Sequence, residues 1–251
     1  MTGPGDFSWP NGAKAAVSIS FDDARASQVD RGLEVLDFYG FKATFFVQPG
    51  NMKGKLEEWR KATAEGHEMG NHTVSHPCSA NFPWARENAL EDWTLERMEA
   101  ELLEANRLVK EALGVVPRTF GYPCGQTFVG RGAGVRSYVP LVAKHFLAGR
   151  AFLSEYLNDP AVCDPAQLGA AALDGLSSGD AITMVDEAKR TGAWVIFCGH
   201  DVGDKGFQVT KVPTLEKFCE WLRAPSSGAW VTTVAGGAGH LARMHSAGKG
   251  G

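Results

Sequence analysis

Short apolar runs alternate with amphipathic stretches along nearly the whole chain, and that alternation restricts the fold class. Ala15 to Phe21 reads AAVSISF, Ala43 to Val47 reads ATFFV, and Ala193 to Cys198 reads AWVIFC. Near-continuous apolar runs of this kind are typical of strands buried on both faces. Further strands are expected at His67 to Asn71, Thr119 to Tyr122, His145 to Gly149 and Trp230 to Val234. Helical spacing is expected over Gln28 to Tyr39 (closed by Gly40), Leu56 to Ala64 (stopped by Gly66) and Leu90 to Leu113 (capped by Gly114). Val135 to Lys144, Asp180 to Thr191 and Thr214 to Arg223 read as helices too, with Asp180 and Thr214 as N-caps. Strands that alternate with helices build a parallel sheet, and about seven such units in 251 residues predict an α/β, barrel-like single domain. The segment 1–14 is expected as an N-terminal extension, 15–235 as the barrel, and the Gly-rich 236–251 as a flexible tail.

Composition narrows the function classes. Hydrophobic residues at 44% and charged residues at 22% suffice for a sizeable core. With 25 basic against 29 acidic residues, the formal charge of -4 gives no electrostatic footprint for nucleic acid or an anionic membrane. No run approaches the roughly 20 apolar residues of a membrane span. Met1 to Lys14 lacks the pattern of a secretory signal, so the expectation is a cytoplasmic protein, or a secreted one whose signal has been removed. Five cysteines (Cys78, Cys124, Cys163, Cys198 and Cys219), odd in number and without a CxxC pair, fit reduced thiols better than a disulfide framework.

Three strand ends carry chemistry. Asp22-Asp23 follows the first strand, His72-Thr-Val-Ser-His76 the third, and Gly199-His200-Asp201 the run ending at Cys198. In a parallel barrel all strand C-termini open on one face, so these residues are expected to converge there. The spacing of His72 and His76 would put both imidazoles on one side of a helical turn. Two imidazoles and a carboxylate around an open position form the ligand set of a catalytic zinc site. Of two adjacent aspartates, one can bind the cation while the other faces the attacking water as base. His200, across the barrel mouth, suits the acid that a leaving amine or alkoxide needs.

FDDA at Phe21 to Ala24, NHTVSHP at Asn71 to Pro77, YPCG at Tyr122 to Gly125 and IFCGHD at Ile196 to Asp201 together resemble the ordered motifs of the polysaccharide deacetylase family. This is the NodB homology domain, or carbohydrate esterase family 4, and the resemblance runs from about Ala15 to Val234. It implies a distorted (β/α) barrel of about seven parallel strands, with Asp22 as catalytic base and Asp23, His72 and His76 as ligands of a divalent metal. Zn2+ suits that set best, while Co2+, Ni2+, Mn2+ and Fe2+ bind similar donors. The resemblance also implies His200 as catalytic acid and the Cys124 backbone N–H as an oxyanion donor.

Three positions depart from the family pattern. Gly121 stands where an Arg usually orients the base, and Arg150 or Arg118 is a substitute. The acidic partner of the acid His has no clear match, leaving Asp159 and Asp164 as candidates. Ala24 replaces a common Gly.

The implied activity is metal-dependent removal of N- or O-linked acetyl groups from a carbohydrate. Hydrolysis of a small amide, imide or ureide is the alternative, and a non-catalytic carbohydrate-binding relative the third reading. His67 reads as structural, and His240 and His245 as part of the mobile tail. Cys198 reads as a small buried hydrophobe. Phe82, Trp84 and Trp93 form either a sugar-stacking wall or core.

Overall fold

A computed structural model describes residues 7–247. Eight parallel strands form the main sheet: β1 (Ala15–Asp22), β2 (Thr44–Val47), β3 (Glu68–Asn71), β4 (Thr119–Gly121), β5 (Ala148–Arg150), β6 (Ala171–Ala172), β7 (Trp194–Gly199) and β8 (Ala229–Val231). Seven of them follow the path β5-β4-β3-β2-β1-β7-β6, and β8 pairs with the start of β1. The sheet curls into an incompletely closed barrel. Leu168 bridges to Arg150 at one edge, and three residues later Ala171 pairs with Phe197 at the other.

Helices α1 (Leu33–Tyr39), α2 (Leu56–Ala64), α3 (Leu95–Leu113), α4 (Val139–His145), α5 (Ser178–Thr191), α6 (Val212–Arg223) and α7 (Val234–Ala247) surround the sheet. Each main apolar stripe faces the barrel; on α3 it is Met98, Leu102, Ala105, Val109 and Leu113, all buried. β1 is buried at every position, as its apolar run required. No helix among the described residues is long and apolar enough to cross a membrane.

Several boundaries differ from the sequence expectation. The stretch from Leu90 starts as a short 3-10 turn, and α3 begins only after Thr94, whose side chain accepts the Arg97 N–H. His145 ends α4 instead of opening a strand, and Ser177, not Asp180, caps α5. Thr214 lies inside α6, which Lys211 precedes as N-cap.

Both chain ends pack on the barrel where they are described. Trp9 is buried, and its indole N–H donates to Gly192 O at 2.8 Å. The expected flexible tail is helical as far as Ala247, and residues 248–251 lie outside the described chain. His240 and His245 belong to this helix, and each ring pairs with a backbone carbonyl, of Ser8 and of Pro160. One of its glycines serves packing against the barrel. A Cβ at Gly237 would come within 2.5 Å of the Trp194 ring, so only glycine lets α7 approach that closely.

Candidate active site

Of the strand-end residues singled out above, Asp22, Asp23, His72, His76 and His200 line one cavity of about 1120 Å3 together with Cys124, while Asp201 instead accepts from Arg25. β1 ends at Asp22, and the chain then turns through two left-handed residues, Asp23 (φ 74°) and Ala24 (φ 54°). That turn sends the two carboxylates in different directions. A Gly, as the family commonly has, would meet the same backbone demand at position 24 more easily.

Asp23 divides its two oxygens. Oδ2 accepts Nε and Nη2 of Arg25 at 3.1 and 2.9 Å. Oδ1 points at His72 Nε2 (3.6 Å) and His76 Nε2 (3.5 Å). The donor atoms of the three residues lie within 4.8 Å of one another, as ligands of a single cation must. His72 Nδ1 sits 2.8 Å from Gly121 O. Donation to that carbonyl places the proton on Nδ1 and leaves the Nε2 lone pair for a metal. Burial, reinforced by the neighbouring His72, pulls the His76 pKa down to about 4 against the attraction of Asp23, so His76 is neutral and ligand-ready at neutral pH. The residues therefore fit a divalent cation.

The two histidines do not share a helical turn. Thr73 (φ 63°) and His76 (φ 50°) are left-handed, and the segment is an irregular loop. Asn71 Oδ1 accepts the Thr73 N–H, Thr73 Oγ1 accepts the His76 N–H, and Glu101 Oε1 on α3 accepts those of Val74 and Ser75. These local bonds fold the loop back so that the rings approach, with centroids 4.8 Å apart.

Asp22 is held by Arg150, whose Nη2 donates to Oδ1, while the Cys198 thiol donates to Oδ2 at 3.3 Å. Burial alone would raise the Asp22 pKa, but Arg150, with His72 and His200, outweighs it and keeps the carboxylate ionised. Of the two substitutes for the missing Arg, the structure selects Arg150. It is fully buried and is the register partner of Gly121 on the neighbouring strand. Gln28 ties the ends of β1 and β7 together, donating through Nε2 to the carbonyls of Asp22 and His200 at 2.5 and 2.8 Å.

The acidic partner of His200 is Asp174, which sequence reading missed. His200 Nδ1 lies 2.6 Å from Asp174 Oδ2, and the His200 N–H donates to Oδ1 at 3.1 Å. Burial works to lower the His200 pKa, but the Asp174 bond and the nearby carboxylates raise it overall. Asp159 and Asp164 serve elsewhere, each accepting a backbone N–H in its own turn. Asp174 opens no motif; its one signal was its place just after Ala170 to Leu173, a run too short to read as a strand.

Cys124 is left-handed (φ 54°) within the turn Pro123–Gly125, and no hydrogen bond among the described residues takes up its N–H. Cys78 and Cys124 form a disulfide, correcting the expectation of reduced thiols throughout. The partners are 46 residues apart in sequence and meet because the loops after β3 and β4 lie side by side. Cys163, Cys198 and Cys219 are free.

Phe82 and Trp84 line the cavity, Trp84 being 62% exposed beside His76 with ring centroids 5.8 Å apart. Trp93 is buried in the core, and Arg97 stacks on it. Phe152, Leu153 and Phe207 stand elsewhere on the cavity wall.

A sequence profile described as polysaccharide deacetylase matches residues 10–131, which contain Asp22, Asp23, both histidines and Cys124. Over these residues the chain is similar to the polysaccharide deacetylase family. Chitin deacetylase 1 of Cryptococcus neoformans var. grubii is 31% identical over 107 residues, 43% of this chain and 20% of that protein. The chitooligosaccharide deacetylase of Sinorhizobium fredii is 32% identical over 98 residues, 39% of this chain and 40% of that protein. A gellan lyase of Bacillus is 29% identical over 119 residues, 47% of this chain and 4% of that protein. The matched segment thus spans well under half the length of these curated relatives. Among solved structures, a Mycobacterium smegmatis protein classed with the polysaccharide deacetylases superposes with a TM-score of 0.69 at 18% identity, covering 96% of this chain and 94% of that one. A family 4 acetyl xylan esterase of Clostridium thermocellum, solved with a cobalt ion, superposes at 0.57 and 18% identity, covering 92% and 91%. These superpositions bear on the fold alone.

Proposed function

We propose that this chain is a metal-dependent hydrolase that removes acetyl groups from a carbohydrate. The observation that carries this reading is the single cavity holding a carboxylate fixed by Arg150, a three-residue ligand set and a histidine fixed by Asp174. Asp23, His72 and His76 would hold the cation, which when bound would polarise the acetyl carbonyl and acidify water.

The remaining work falls to the chain's own groups. Asp22, ionised and unable to rotate between Arg150 and Cys198, accepts the proton of the attacking water. His200, protonated and oriented through Nδ1 by Asp174, donates from Nε2 to the departing nitrogen or oxygen. The Cys124 N–H donates to the carbonyl oxygen as negative charge builds there. Trp84 and Phe82 offer apolar faces beside the ligand set, suited to the faces of sugar rings.

The relatives named for chitin and chitooligosaccharide deacetylation support the acetyl-amide form of this reaction. Acetate release from chitooligosaccharides and acetylxylan, by metal-loaded and then chelated protein, tests the proposal. Chelator-sensitive release is expected. No release from folded, metal-loaded protein that does hydrolyse a small cyclic amide would replace the acetylated sugar with that substrate class.

A further inference from the structure

His76 presents its two ring nitrogens to two different donor sets. Nε2 lies 3.5 Å from Asp23 Oδ1, while Nδ1 lies 3.7 Å from the Cys78 sulfur. His72 is unlike it, because its Nδ1 is committed to a carbonyl. No carbonyl or carboxylate takes the Nδ1 of His76 among the described residues. A ligand atom from each of His76, Cys78 and Cys124 lies within 4.8 Å of the other two.

We propose that reduction of the Cys78–Cys124 disulfide creates a second metal site, made of both thiolates and His76 Nδ1, that competes with Asp23 and His72 for the same imidazole. Two thiolates and an imidazole with one position open suit a soft or borderline cation such as Zn2+, Cd2+ or Cu+. The reductant is a dithiol. It gives two electrons and two protons to the Cys78–Cys124 bond and becomes a disulfide itself, while Cys78 and Cys124 become thiols. Each thiol releases its proton to water as it coordinates the cation.

Competition follows from the chemistry of imidazole. A neutral ring has one lone pair free for coordination and carries its proton on the other nitrogen. Coordination at Nδ1 therefore puts the proton on Nε2 and takes His76 from the Asp23 and His72 set. The competition, though not the thiolate site itself, rests on the proposed metal role of Asp23, His72 and His76. The disulfide keeps both sulfurs from coordinating and leaves His76 to the first set.

Cobalt(II) reports sulfur ligation directly through a near-ultraviolet thiolate-to-cobalt charge-transfer band. Oxidised protein is titrated with Co2+, and so is protein reduced by dithiothreitol and desalted without air. The expected result is one cobalt per chain in both states, with the band in the reduced state alone and gone in Cys78→Ser/Cys124→Ser. Absence of the band in reduced protein would overturn the site. So would its persistence in the double variant, since the thiolates would then be others. Two cobalts per reduced chain would overturn the competition. If the double variant does not fold, iodoacetamide on reduced wild-type protein, mapped by mass, blocks the same sulfurs. Neither readout involves turnover, so failure of the deacetylase reading would leave this test intact.

Discussion

The guanidinium of Arg150 fills the space that a side chain at Gly121 would need. A Cβ built on Gly121 would lie 2.9 Å from Arg150 Nη2 and 2.8 Å from the Phe46 ring. The two positions are register partners on β4 and β5, so the arginine paired with Asp22 stands one strand to the side of Gly121. Gly121→Ala should push the guanidinium off the carboxylate, and overpacking there should cost about 1–3 kcal/mol. Because misplacing a reacting group by about 1 Å can cost a hundredfold, kcat should fall roughly that far while circular dichroism stays native. Gly121→Arg combined with Arg150→Gly should recover part of the loss. No recovery, alongside full activity of Gly121→Ala, would separate Arg150 from catalysis.

As the proposed acid, His200 would set the pH dependence. Burial opposes its charge, but the Asp174 bond and nearby carboxylates raise its pKa, so the protonated acid persists to higher pH than an ordinary histidine allows. Activity that needs the proton is full below that raised pKa and falls as pH rises through it. Asp174→Asn removes the charge that favours the imidazolium, so the alkaline limb of kcat should move to lower pH. His200→Ala should cost roughly a hundredfold or more. An unmoved limb in Asp174→Asn would remove His200 as the titrating acid.

Trp84 tests the substrate wall. Its ring is 62% exposed at the cavity edge, so removing it disturbs little packing. Trp84→Ala should raise KM for an acetylated oligosaccharide about tenfold, or about 1.4 kcal/mol of binding, and leave kcat nearly unchanged. An equal loss on a small acetylated monosaccharide would place Trp84 at the reacting group instead.

The residues legible in the sequence were those whose signal is local. Asp22, Asp23, His72, His76 and His200 each sit directly after an apolar strand, and the parallel topology brings them to one cavity. Arg150 and Asp174 were harder because their roles exist only across the barrel: Arg150 acts on a residue 128 positions away, Asp174 on one 26 away. The disulfide was invisible for the same reason, and five cysteines gave no pairing pattern. The helical reading of His72 to His76 failed because side-chain bonds from Asn71, Thr73 and Glu101 fix a loop with positive φ. Glycines at 236, 237 and 239 suggested a tail, but at 237 glycine is what lets α7 lie against Trp194.

The division of labour between the adjacent aspartates is the central claim, and bound metal measured beside acetate release on the same samples tests it most directly. Asp23→Ala should lose both metal and turnover, since Oδ1 of Asp23, facing His72 and His76, would complete the proposed ligand set. Asp22→Asn should keep the metal at wild-type stoichiometry and lose turnover by roughly a hundredfold or more. Full metal content in Asp23→Ala, or wild-type acetate release from Asp22→Asn, would contradict the account.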